Sequence, residues 1–323
     1  MDVRSALRGD LRQALDERGY AVIEDVIDPT RVLDPVLDAA SRQLTHFAEL
    51  AREAGQLPRT FASSSLQQQI IELARREVTW IGRVLDVSLP VGRVRETTAM
   101  WLAPEPFALL RDAQLLDLVS EVLGDEVWLS PVGHTRAKVP PGLAQGADVF
   151  LGDVPWHQDN GVLVEEADDV DILTVWIPLV DVDATNGCLQ VVPQPRGSSL
   201  LEHCPDDGAL RIPAPLLPAP EPIPLPMRRG SVLFMHSRTP HAALPNRTTD
   251  QVRLSMDLRY QAVPAPTGRP GFPSFLLRSP EPTRQRPTTF EQWKADWIAA
   301  RDRLAEKDLG RFNRWDSDAP FCA

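Results

Sequence analysis

Cysteine is scarce in this chain of 323 residues: only Cys188, Cys204 and Cys322 occur. Thiols so few and so scattered suit neither a disulfide framework nor a thiolate zinc site. A basic excess is missing as well. Acidic residues number 45 against 34 basic ones, for a net charge of −11 and a pI near 5.1. A nucleic-acid groove needs a basic stripe, so that class of partner is excluded. The same balance disfavours a polyanionic substrate unless arginines cluster locally. No apolar run approaches the ~20 residues needed to cross a bilayer. The Met1–Asp10 stretch is charged and has no apolar core of a signal peptide. A soluble, cytoplasmic protein without a membrane partner is expected. Lysine is nearly absent too, occurring only as Lys138, Lys294 and Lys307. With 31 prolines and abundant alanine, that usage is typical of a GC-rich bacterial genome.

What is present falls into three stretches. Residues 1–88 read as mainly helical. Leu7, Leu11, Ala14 and Leu15 recur at helical spacing over 4–18, and Gly19 stands where a helix would stop. A short strand is expected over Tyr20–Val26, then helices at 30–54 and 66–83. Ser65 with Gln68 three residues on forms a capping-box pattern ahead of the last. From about residue 90, short Val-, Leu-, Ile- and Trp-rich runs alternate with Pro, Gly, Asn and Asp, the texture of many short strands. The clearest are Glu126–Ser130, Thr135–Val139, Asp171–Val180, Cys188–Val192, Ser231–His236 and Arg253–Gln261. Asn186-Gly187 suits a hairpin turn. The proline-rich 212–227 stretch cannot donate a regular ladder and reads as a surface crossing or flap. Residues 288–308 return to helix, with Trp293 and Trp297 as packing residues. One domain is expected, with a β-barrel or jelly roll at 89–262 and a C-terminal extension at 263–323.

Chemistry gathers in two places. In Trp156-His157-Gln158-Asp159, residues i and i+2 of an extended strand point the same way, so an imidazole and a carboxylate can meet at one point. A third ligand from elsewhere would complete a two-histidine, one-carboxylate facial triad. The apolar run Ser231–Met235 leads to two candidates for that ligand, His236 and His241. Beyond them the 253–260 strand alternates, with Leu254, Met256, Leu258 and Tyr260 on one face and Arg253, Ser255, Asp257 and Arg259 on the other. A buried arginine needs an anion. Arg253 therefore either pairs with an internal acid such as Asp257 or grips a carboxylate ligand, with a neighbouring hydroxyl assisting. The acidic run Glu165–Asp169 reads as a solvated loop.

Together these segments resemble the phytanoyl-CoA dioxygenase family. The resemblance runs in order from Glu17-Arg-Gly-Tyr-Ala-Val-Ile23 through Leu123-Gly124, Lys138-Val-Pro140 and Trp156-His-Gln-Asp159. Val175-Trp-Ile-Pro-Leu179, Asp181, Asn186-Gly-Cys-Leu189 and Val192-Pro193 follow, then Gly230-Ser-Val-Leu-Phe234, His241, Asn246 and Arg253. It implies a double-stranded β-helix core, the jelly roll of the cupins. It also implies Fe(II) held by His157, Asp159 and His241, with 2-oxoglutarate as co-substrate and O2 as oxidant. Arg253, Ser255, Trp176 and Gln158 would contact the 2-oxoglutarate. Hydroxylation or desaturation of a small organic molecule, with release of succinate and CO2, is the implied reaction. The intact Asp159 favours this over halogenation, where that carboxylate gives way to chloride. Three places depart from the family pattern: the Gln194–Ser198 loop, the apolar Ala242-Ala243-Leu244 after His241, and the spacing from His241 to Arg253. A cupin-like isomerase or a non-catalytic binding protein on the same barrel is the alternative.

Overall fold

The structure, a computed structural model, describes residues 3–92, 94–143, 151–206, 209–262, 264–280, 286–306, 314–315 and 322. Helix α1 (Val3–Arg18) stops at Gly19, whose φ of 76° lies in the left-handed region that favours glycine. Strand β1 (Tyr20–Ile23) and helix α2 (Asp34–Glu53) follow. The helix read over 66–83 is broken into α3 (Leu66–Ala74), which starts at the Ser65/Gln68 capping box, and α4 (Ile81–Val84). Glu77, at φ 57°, lies in the break.

The strand texture read from residue 90 onward conceals two further helices, α5 (Pro104–Leu110) and α6 (Ala113–Leu123). Pro104 falls in the first turn of α5, where its missing N–H costs nothing. Asp112 caps α6 by accepting from the N–H groups of Gln114 and Leu115. Strands β2 (Val127–Leu129), β3 (His134–Lys138), β4 (Ile172–Pro178) and β5 (Leu189–Val191) then follow. After them come β6 (Cys204–Asp206), β7 (Ala209–Arg211), β8 (Ile223–Leu225), β9 (Val232–His236) and β10 (His241–Ala243). Strands β11 (Arg253–Gln261) and β12 (Phe275–Arg278) and helix α7 (Phe290–Ala305) complete the series.

Two antiparallel sheets form the jelly-roll core. The larger runs β1-β9-β4-β11-β2-β12, with β3 also paired to β11; the smaller runs β10-β5-β8. The larger sheet therefore draws strands from outside 89–262, β1 at one end of the chain and β12 towards the other. The alternation of β11 sorts its faces. Leu254, Met256, Leu258 and Tyr260 join the main apolar core with α1, α2, α6 and α7, where Trp293 and Trp297 pack. Burying such side chains is worth about 1.5–3 kcal/mol each. Inward, Trp176, Leu233 and Met235 of the larger sheet meet Leu189, Val191, Leu225 and Ala243 of the smaller.

Asn186-Gly187 does form a tight turn, with Gly187 at φ 93°, but it carries the chain from one sheet to the other. The 212–227 stretch supplies an edge strand, β8, despite Pro224. Cys204 and Cys322 form a disulfide across 118 positions, contrary to the expectation from their scatter; Cys188 is free and buried. No helix among the described residues is long and apolar enough to cross a membrane.

Candidate metal centre

His157 and His241 face each other across an isolated antiparallel bridge, each N–H bonded to the other's carbonyl at 3.0 and 2.9 Å. Their rings lie 4.2 Å apart, centroid to centroid. Each Nδ1 lies beside a carbonyl oxygen two residues upstream: Pro155 O at 2.9 Å for His157, Thr239 O at 3.0 Å for His241. A carbonyl only accepts, so both Nδ1 atoms carry the proton and both Nε2 lone pairs are left for a metal.

Two residues after His157 the chain enters a single 3-10 turn, Asp159–Val162, led by the carboxylate. Asp159 Oδ1 stands 3.8 Å from His157 Nε2. One ligand atom each from His157, Asp159 and His241 can be chosen with all three within 4.8 Å of one another, and all three residues are buried. Two imidazoles and one carboxylate brought together on one side of a pocket are a donor set that suits a divalent transition metal.

Two groups hold Asp159: Arg259 Nη2 donates to Oδ1 and Thr174 Oγ1 to Oδ2. Arg259 Nη1 also donates to Asp257 Oδ2 at 2.6 Å, and Arg136 Nε to Asp257 Oδ1 at 3.1 Å. An alternating chain of guanidinium and carboxylate thus ends on the candidate ligand. Burial by itself would raise the Asp159 pKa, but Arg259 and the two ring neighbours outweigh it and hold the carboxyl well below its usual range. Burial, reinforced by His241, pushes His157 down to about 3. Both groups are therefore in their metal-binding forms at neutral pH.

The same pocket receives Arg253 from the first position of β11, with Trp176 and Leu189 also on its wall. Arg253 is fully buried. Its Nε donates to Gly187 O at 3.1 Å and its Nη1 to Ser255 Oγ at 2.6 Å, while its buried Nη2 has no hydrogen-bond partner among the described residues. Burial, with Arg136 nearby, draws its pKa down to about 10. A buried guanidinium nitrogen left without an acceptor is costly, and an anion in the pocket would satisfy it. A dicarboxylate with one end on Arg253 and the other towards the histidines fits this donor set.

A sequence profile described as phytanoyl-CoA dioxygenase (PhyH) matches residues 15–255. The chain belongs to the phytanoyl-CoA dioxygenase family. No curated protein sequence matches it. Among solved structures, the non-heme monooxygenase ThoJ in its apo form shares the fold at a TM-score of 0.58 and 15% identity, over 92% of this chain and 98% of that one. AviO1 from Streptomyces viridochromogenes Tue57 aligns at 24% identity and a TM-score of 0.47, over 80% and 96%. EvdO2 from Micromonospora carbonacea var. aurantiaca, complexed with 2-oxoglutarate, aligns at 19% and 0.47, over 82% and 92%.

In this phytanoyl-CoA dioxygenase family member His236, the competing histidine, ends β9 away from the cluster, its Nδ1 accepting from the Arg238 N–H. Ser255 sits against Arg253, and Trp176 has its ring 5.7 Å from the Arg253 guanidinium carbon. Gln158 requires correction. Its amide donates to Ser199 O and Arg238 O and accepts from Leu201 N, so it pins neighbouring loops and does not line the pocket. The reason is the alternation that joins its neighbours: if His157 and Asp159 point inward, Gln158 points out.

Asp257 and Arg259 were expected on the Arg253 face, but their link to Asp159, with Thr174 and Arg136, was not. Their signal was the alternation of β11 and of β4, where Thr174 shares a face with Trp176. Asp168, read as part of a solvated run, is in fact held by Arg314 and Asn160.

Proposed function

We propose that this family member is an Fe(II)- and 2-oxoglutarate-dependent dioxygenase that hydroxylates or desaturates a small organic substrate. The observation that carries the reading is the buried, unpartnered Nη2 of Arg253 in the pocket that also holds the three candidate ligands. In this reading His157, Asp159 and His241 hold the iron. Arg253, braced by Ser255 and the Gly187 carbonyl, takes the distal carboxylate of 2-oxoglutarate. Trp176, Leu189 and Met235 give the pocket apolar walls that exclude water. Iron held there would supply the activation of O2, the oxidant, one oxygen atom of which would end in succinate as CO2 is released and the other in the hydroxylated product, or in water on desaturation. The lysine-poor, proline-rich composition fits a GC-rich bacterial genome, and a bacterial natural-product intermediate is the substrate class of this reading.

Anaerobic addition of 2-oxoglutarate to the Fe(II)-loaded protein, followed by visible absorbance, tests the binding half. A new band is expected for the wild type and should be lost in His157→Ala and Asp159→Ala. A panel of candidate substrates, scored by mass shift and succinate release, tests the turnover half. Near-normal succinate release by both variants would overturn the reading.

A further inference from the structure

The metal-bearing turn is held from the outside by residues far away in sequence. A single 3-10 turn satisfies few of its own carbonyls, and three carbonyls over residues 160–163 are met by one short segment, Asn160 O in addition to its bond from the Leu163 N–H. Arg314 Nη2 donates to Asn160 O at 3.0 Å and its Nε to Leu163 O at 2.7 Å. The same guanidinium grips both oxygens of Asp168, at 2.7 and 2.8 Å, and only 6% of the Arg314 side chain is exposed. Trp315 Nε1 donates to Gly161 O at 2.6 Å, and its ring stacks on His203 at 5.1 Å.

His203 closes the arrangement. Its Nε2 accepts from the Gln158 N–H at 2.9 Å, directly between His157 and Asp159. Its ring fills the space above Gly161, where a Cβ would lie 2.3 Å from it. The next residue, Cys204, is the one bonded to Cys322. The Arg314-Trp315 contacts and the disulfide thus converge on one patch of backbone, residues 158–163, and that patch presents Asp159.

We propose that Arg314 and Trp315, anchored by the Cys204–Cys322 disulfide, are positioning residues for Asp159 and set the affinity of the metal site. This rests on the reading of His157, Asp159 and His241 as metal ligands. Neither Arg314 nor Trp315 lines the pocket; they act through the backbone of the turn. Groups that orient ligands from behind typically change metal affinity by about 10–100-fold.

The test uses the full chain with Arg314→Lys, Trp315→Phe and Cys322→Ser. Lysine keeps a charge opposite Asp168 but cannot span three acceptors, and phenylalanine keeps the stack on His203 but cannot donate to Gly161 O. The readouts are the Fe(II) dissociation constant from anaerobic chelator competition and the visible spectrum of the Co(II)-substituted protein, both without 2-oxoglutarate. Arg278→Lys is the matched control, because Arg278 makes a similar clamp on Asp117, Ser120 and Leu116 O, remote from the metal. Arg314→Lys should weaken metal binding about tenfold or more and alter the Co(II) bands. Trp315→Phe and Cys322→Ser should shift both in the same direction, and Arg278→Lys should shift neither. Metal affinity within twofold of wild type in Arg314→Lys, or an equal loss in Arg278→Lys, overturns the proposal. A wild type that binds no metal would instead overturn the metal reading beneath it.

Discussion

Replacing Arg259 by glutamine isolates the charge chain behind the candidate ligand. Arg259 is 5% exposed in its side chain and Asp159 2%, so water cannot take over when the guanidinium goes. Removing one partner of a buried pair costs about 3–5 kcal/mol, because the remaining charge stays desolvated. Here two carboxylates lose a partner. Asp257 keeps the Arg136 guanidinium, whereas the hydrogen-bond donor left to Asp159 among the described residues is the Thr174 hydroxyl, with the His157 and His241 rings nearby, so the loss falls mainly on Asp159. At roughly 2–3 °C per kcal/mol for a chain of this size, the metal-free protein should melt about 6–15 °C lower. A divalent metal supplies the cation that the variant lacks. Saturating Mn(II) should therefore raise the melting temperature more in Arg259→Gln than in the wild type, and the two metal-loaded values should approach each other. Differential scanning calorimetry in a chelator and then in excess Mn(II) measures both quantities. A metal-free drop under about 3 °C, or the same metal-induced rise in both proteins, would refute the claim that Arg259 neutralises Asp159.

Three further outcomes are expected. Arg253→Leu should raise the 2-oxoglutarate concentration needed for half-maximal binding at least tenfold, with Fe(II) affinity within about twofold of wild type; unchanged 2-oxoglutarate dependence would place the anchor elsewhere. Gly187→Ala introduces a Cβ 2.7 Å from Leu244 O at φ +93°, so it should cost about 1–2 kcal/mol. Because Gly187 O also braces Arg253, the same change should weaken 2-oxoglutarate binding, as isothermal titration would show. Burial holds His157 near a pKa of about 3 and His203 near about 4, both below the unfolded value near 6.5. The unfolded chain then binds more protons below pH 6.5, so stability is fully present above that pH and is lost as pH falls towards 4 and 3. Each histidine should cost about 2 kcal/mol at pH 5. Urea denaturation of the metal-free protein at pH 7 and pH 5 checks this, and equal midpoints would contradict it.

Helix α1 with its stop at Gly19 and the capped start of α3 were legible from helical spacing and capping, and the site residues from short-period alternation on extended chain. The pattern at 253–260 placed Arg253, Asp257 and Arg259 on one face, and the i, i+2 spacing paired His157 with Asp159. Alternation applied one residue further would also have turned Gln158 away. What was not legible depends on partners distant in the chain. The α5–α6 pair was hidden because Pro104 and Pro106 interrupt the first segment and both helices are short and Leu-rich beside the strands that follow. The Cys204–Cys322 bond spans 118 positions, and no spacing rule reaches that far. His203 carries no metal-ligand spacing because it works through the backbone of Gln158, and Arg314 and Trp315 meet their acceptors only in the folded chain.

The proline-rich edge of the smaller sheet has a consequence for solubility at high concentration. Met227 turns its N–H towards Val182 O, at 2.9 Å. Positions two apart on a strand share that direction, so Ile223 and Leu225 also turn theirs inward. Residues 222, 224 and 226, which face outward, are all proline. The outer rim of β8 thus offers acceptors and no donors. An incoming strand from a second molecule would find half of its ladder missing. Substituting those prolines with residues that carry an N–H would give the rim the donors on which edge-to-edge aggregation depends.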